Sequence, residues 1–222
     1  MEPMTSTSFI DTVVLAFQQG GVWMIAIALA LMFSLSISVE RFVRLFFKYS
    51  IDGASFMFEI QKYILANDLD GAIRVCNGAG QSALAKVIKA GLQRASRSEQ
   101  QIQNAIDAMS LEVVPKLERR IAYLAMIANV ATLLGLLGTI SGLIRSFNAI
   151  ALADPAQRQA ILSAGIAEAM NATAFGLITA IFTMVAHSVL SNKANLILDE
   201  VDEFGVKLMD LLSARKQKHS SE

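Results

Sequence analysis

The chain has 222 residues, of which 54 % are apolar and only 17 % charged, with 19 Lys and Arg cancelling 19 Asp and Glu. That apolar share exceeds what a soluble domain carries and points to lipid, while the missing basic excess excludes a nucleic-acid surface. One cysteine, Cys76, excludes an internal disulfide framework and a cysteine-based zinc site, and it reads as a small buried apolar residue.

In chain order, residues 1–19 come first, and within them Phe9, Val13, Ala16 and Phe17 recur at helical spacing. This predicts a short helix lying in the outer membrane interface. Residues 20–46 form the first crossing, with no charge from Gly20 to Val39 and with Trp23 placed for an aromatic belt. The first cation of the chain is Arg41, after the apolar run, so the segment lacks the basic start of a cleaved signal peptide and is retained.

Residues 47–120 are polar and helix-prone, punctuated at Asn67-Asp68, Asn77-Gly78 and Gly80. Helices are predicted near 53–66, 69–76 and 82–95. A fourth starts after the cap Ser98 and keeps a 3.6-residue apolar period straight into the second crossing, with Pro115 as its one kink. That crossing, 121–148, is uncharged from Ile121 to Ile144. The connection 149–162 is short enough to make an antiparallel hairpin with the third crossing, 163–190, which holds Glu168 near its start and His187 near its end. Over 191–222 a stripe of Leu190, Ala194, Ile197, Val201, Phe204, Leu208 and Leu211 continues the helix to about Ala214, a rod of roughly 80 Å from residue 160. The final RKQKHSSE is expected to be a loose tail.

The chain thus reads as an all-α integral membrane protein with three transmembrane helices and long helices outside the lipid. Cations number none in 1–40, twelve in 41–120, two in 121–190 (Arg145 and Arg158) and five beyond. The positive-inside rule then sets the N-terminus outside and the C-terminus in the cytoplasm, which in a bacterium means an inner-membrane protein.

On a helical wheel Ala128, Thr132, Gly135, Thr139, Gly142 and Ser146 share one face of the second crossing. Ala169, Thr173, Gly176, Ala180, Thr183 and His187 share one face of the third. Such polar seams serve close packing, for which Gly135, Gly138, Gly142 and Gly176 are suited. They equally serve a pore, whose lining candidates are Thr132, Thr139, Ser146, Thr173, Thr183, Glu168 and His187. Intramembrane acids and histidines are functional candidates by position, and Arg145 reads as snorkelling to the surface or contacting a partner.

The glycines of TLLGLLGTISGL (132–143) do not form a phosphate loop, which needs GxxxxGK[ST] after a strand, nor a dinucleotide fingerprint, which needs GxGxxG. The sequence also lacks HExxH, a cysteine cluster and a paired-carboxylate site. No catalytic residue, metal ligand or cofactor is expected.

The stretches LERRIAYLAMIANVATLLGLLGTISGLIRSF (117–147) and GIAEAMNATAFGLITAI (165–181), with Glu40-Arg41 at the inner end of the first crossing, resemble the MotA/TolQ/ExbB family of ion-channel subunits, in its three-helix TolQ/ExbB branch. The resemblance covers nearly the whole chain. It implies a homopentamer around a dimer of ExbD- or TolR-like subunits, each with one transmembrane helix bearing an essential aspartate. Thr139 and Thr173 match the family's two pore threonines and Glu168 its motif acid. The implied role is a motor subunit coupling proton or sodium motive force to work, with Tol-like, TonB-like and gliding-motility systems as destinations. Two departures stand out: Thr132 where the family often has Pro, and Phe182 and Ser188 in place of the Pro and Asn of the third helix. A structural scaffold without conduction is the alternative.

Overall fold

A computed structural model describes residues 21–220. The interfacial helix expected within 1–19 and the last two residues lie outside the described residues. The chain is helical throughout: α1 Gly21–Val43, prolonged by a π-helical turn Arg44–Tyr49; α2 Gly53–Leu65; α3 Leu69–Gly78; α4 Ala83–Leu92; α5 Glu99–Glu118; α6 Ile121–Leu152; and α7 Arg158–Ser220. Among the described residues there is no strand. Three helical stretches, containing α1, α6 and α7, are long and apolar enough to cross a membrane. Their apolar side chains are largely outward-facing, Phe33, Leu133, Ile140 and Ile181 among them, which suits lipid and not water.

The chain forms two compact units. One contains α1 up to Ser38 with residues 122–187. Here α6 and α7 meet through their smallest residues: a β-carbon on Gly176 would lie 2.8 Å from the Ala131 carbonyl oxygen and 2.9 Å from Gly135 Cα. Both neighbours are backbone and cannot move aside, so only glycine permits this approach. Without a hydrophobic drive between helices in lipid, such dispersion contacts are what hold the pair together. The first helix is clamped to α7 by the buried hydroxyls of Ser34 and Thr183, 2.7 Å apart.

The other unit contains residues 39–121 and 188–222. Its four short helices start at side-chain caps. Asp52 accepts from Ser55 N at 3.3 Å, Asp68 from Gly71 N at 2.7 Å, Ser82 from Ala85 N at 3.4 Å and Ser98 from Gln101 N at 3.4 Å. Ile60, Ile64, Leu84, Ile88, Leu92 and Ile102 are buried, as are Ala194, Ile197, Val201, Phe204 and Leu208 of α7. The last buried position on that stripe, among the described side chains, is Leu212, where the sequence suggested Leu211; the step from Leu208 is four residues because 3.6 per turn forces an occasional i+4. Burial pushes the Cys76 thiol up to about 11, which fits an inert apolar residue.

Two expectations need correction. The helix after Ser98 does not run unbroken into the second crossing: α5 ends at Glu118, Arg120 takes φ +66°, and α6 begins at Ile121. The break lies beyond Pro115, which α5 absorbs within its last turn. What fixes the end is Arg41, whose buried guanidinium donates two hydrogen bonds, 3.1 and 3.3 Å, to the Lys116 carbonyl. Glu40 beside it binds Arg44 at 3.0 Å and Arg120 at 2.5 Å. The second correction concerns the tail: the backbone of α7 stays helical to Ser220 instead of loosening after Ala214.

Gly176→Ala should therefore destabilise the protein by ~1–3 kcal/mol, whereas Gly78→Ala, with nothing within 4 Å of the new methyl, should be neutral or stabilising. Thermal unfolding in detergent distinguishes the two. Thr183→Val leaves Ser34 buried without a partner and should cost about 1 kcal/mol; Ser34→Ala added to it should cost less than the sum of the single changes, measured as a double-mutant cycle.

Candidate functional site

The seams expected on the second and third crossings do face one another, but rotated. The buried line of α6 is Ala128, Ala131, Gly135, Gly138, Gly142 and Ser146. That of α7 is Ala169, Ala172, Gly176, Thr179, Ala180 and Thr183. Gly138 packs toward Ala172 and Trp23, and Gly142 toward Ala169. Where the helices approach most closely the contact takes the residues with least side chain, and the hydroxyls of Thr132, Thr139 and Thr173 fall to its edge.

At that edge Thr139 and Thr173, both half-buried, are hydrogen-bonded to each other through their hydroxyls. Both oxygens also lie within hydrogen-bond distance of the Gly135 carbonyl oxygen, Thr139 Oγ1 at 3.1 Å on its own helix and Thr173 Oγ1 at 3.0 Å across the interface; with one proton per hydroxyl, one threonine donates to the carbonyl while the other donates to its neighbour's oxygen. Two hydroxyls and one carbonyl thus converge from two helices on a single point. Each threonine oxygen keeps a lone pair, so the cluster offers neutral oxygen ligands to a cation or water at small desolvation cost. It has no titratable group.

The remaining candidates are placed as follows. Thr132 is exposed and bonds back to Ala128 O at 3.1 Å; Ser146 is buried and bonds back to Gly142 O at 2.8 Å. Thr183 is fully buried, donating to Thr179 O at 2.8 Å while meeting Ser34. Glu168 and Arg145 form an ion pair between α7 and α6. His187 is half-buried at the far end of the third crossing, about four helical turns from Thr173 and not joined to the threonine pair. Among the described residues no group of three or more His, Cys, Asp or Glu side chains could hold a metal ion.

Two participants and one pairing were not singled out from sequence. Ser34 and Thr179 are buried hydroxyls of the α1 and α7 face, Thr179 Oγ1 lacking a hydrogen-bond partner; the signal for Ser34 was its place in the SLSIS run of an otherwise apolar crossing. The pairing of Arg145 with Glu168 was also unread, although they are the opposite charges found at the same end of the hairpin.

Residues 79–203, more than half of the chain, match the model of the MotA/TolQ/ExbB proton channel family. Among curated relatives, the Tol-Pal system protein TolQ of Haemophilus influenzae is 37% identical over 110 residues, covering 46% of this chain and 48% of the relative. TolQ of Pseudomonas aeruginosa is 28% identical over 152 residues, 64% of each chain. The biopolymer transport protein ExbB of Salmonella typhimurium is 36% identical over 89 residues, 35% of this chain and 36% of the relative. The match thus spans about half to two thirds of the TolQ relatives' length. The family and these relatives are channel-type proteins and not enzymes. With three membrane-length helices, a hydroxyl-lined α6/α7 hairpin and this match, the chain belongs to the MotA/TolQ/ExbB proton channel family, as a multi-pass inner-membrane protein.

Proposed function

We propose that this chain is the channel and stator subunit of an inner-membrane motor that couples proton motive force, or sodium motive force, to mechanical work. The observation that carries the reading is the convergence of Thr139 and Thr173 on the Gly135 carbonyl. A hydroxyl pair of this kind stabilises a passing ion or water without binding it tightly, which conduction requires. It cannot itself take up and release a proton near neutral pH, because a hydroxyl does not titrate there. The titrating group then comes from a partner: a single-helix subunit of the ExbD or TolR kind, its aspartate passing the threonines, with two such subunits enclosed by five copies of this chain.

In this reading the N-terminus lies in the periplasm and the C-terminus in the cytoplasm, because cations are absent before Arg41 and abundant after it. The pathway follows the half-exposed edge of the hairpin, with Thr132, Thr139 and Thr173 along it, Glu168 at its outer end and His187 toward the cytoplasm. Thr183 and Ser146 are bonded within the chain and hold the helices in register. The exposed apolar faces of α1, α6 and α7 meet lipid and neighbouring copies. The machine driven is of the Tol, TonB-uptake or gliding type.

Thr139→Val and Thr173→Val, each preserving shape, should reduce motive-force-dependent work by at least about tenfold, equivalent to ~1.4 kcal/mol on the limiting barrier, while membrane assembly survives. Thr132→Val should have a smaller effect. Full work by either of the first two variants in an assembled complex would reduce the chain to a structural scaffold. Collapsing the sodium gradient and the proton gradient separately identifies the ion.

A further inference from the structure

The ion pair between Arg145 of α6 and Glu168 of α7 sits at the end of the hairpin where its two helices are joined. Its geometry is held by three elements. The Glu168 carboxylate lies against Gly21, the first described residue of α1, which takes φ +69° and where a β-carbon would collide with Glu168 Oε1. Next to Arg145, Ser146 is buried against Gly165, whose missing side chain makes room for the Ser146 hydroxyl. Beneath the pair Gly142 packs on Ala169, and the threonine pair follows two helical turns from Arg145. A cleft of about 520 Å³ opens beside the pair, lined by Arg145, Ser146, Ala149, Gly165 and Glu168. Among the described residues the other charges of this end are Asp154 in the connection and Arg158 at the start of α7, whose Nε donates to Ala153 O at 3.2 Å.

We infer that Arg145 is a positioning residue for Glu168 and sets the charge at the outer end of the hydroxyl seam. This rests on the pathway proposed above. A free carboxylate at the entrance would concentrate cations there, and a free guanidinium would repel them. Paired across the interface, the two present no net charge. The carboxylate is also pinned between α6 and the start of α1, so it is not available to lead a cation onto Thr139 and Thr173. The function of the pair is to keep the seam from leaking cations when no work is being done. An ion pair this open to solvent is worth little in bulk water; its role here is local charge, which does not require a large contribution to stability.

Two measurements test it. In thermal unfolding of the full-length chain in nanodiscs, Arg145→Gln and Glu168→Gln should each lower Tm by about 2–4 °C at most, and together by no more than one alone. Additive losses would mean that no pair exists. In proteoliposomes carrying the full-length chain with its partner subunits, passive proton entry, read with a trapped pH dye, should rise several-fold for Arg145→Gln. It should stay basal for Arg145→Lys and return to basal when Arg145→Glu is combined with Glu168→Arg. A coupled loss of Tm with unchanged entry would overturn the charge-setting role. If instead entry rises in Arg145→Gln but is insensitive to Thr139→Val and Thr173→Val, the pathway reading fails while the pairing stands.

Discussion

The backbones of α6 and α7 meet at Gly135 and Gly176 so closely that a β-carbon on either would press on the opposing main chain. Within the membrane-crossing unit, the other polar features depend on that approach. It brings the Gly135 carbonyl within 3.0 Å of a hydroxyl on the facing helix, which a larger residue at either position would prevent. It also sets the register in which Gly142 packs on Ala169 and the Ser146 hydroxyl enters the space left by Gly165. The Arg145 and Glu168 side chains then meet at the end of the same contact. In lipid, where apolar side chains gain nothing by leaving their surroundings for one another, geometry of this kind replaces the hydrophobic core as the source of specificity.

The chemistry available to the site follows from what the contact excludes. A carboxylate placed mid-membrane would be costly unless paired or hydrated, and the threonine cluster avoids that cost by offering neutral oxygens. Among the described residues, the charged side chains of the crossing unit lie toward its ends, where headgroups and water lower the cost of exposing them. In the proposed pathway, the charge-carrying group is brought to the seam by the partner. That division of labour explains why a polar seam and a lack of acids in its middle belong to one design.

The crossings were legible in the sequence because twenty or more uncharged residues have few other uses, and the cap at Ser98 was legible because capping is a local hydrogen bond. The seam was legible as a face but not in its rotation. Wheel position groups Thr132 and Thr139 with Gly135, yet the buried line runs through Ala131 and Gly138. Which residues of a small-residue face go inward is decided by the facing helix, and the smallest win. The end of α5 was misread for a similar reason. Pro115 is a strong local signal, but the stop is set by Arg41, 75 positions away, bonding the Lys116 carbonyl. Both features depend on partners that no local window contains.

Thr132 shows how such a residue alters a helix without leaving its face. The family resemblance has proline at this place, which would remove the amide that an α-helix directs to the carbonyl four residues earlier and leave the Ala128 oxygen free to face a pore. Threonine does the reverse. Its amide continues the helix, and its hydroxyl adds a second hydrogen bond to Ala128 O at 3.1 Å. The carbonyl is thereby occupied, and the oxygen presented at the exposed edge of α6 is the hydroxyl itself, with its lone pairs directed away from the bond it donates. The substitution thus exchanges a fixed backbone acceptor and a bend for a side-chain oxygen on a straight helix, in line along the same edge with Thr139. A cation moving along that edge would meet two side-chain oxygens about two helical turns apart, neither of them part of the backbone.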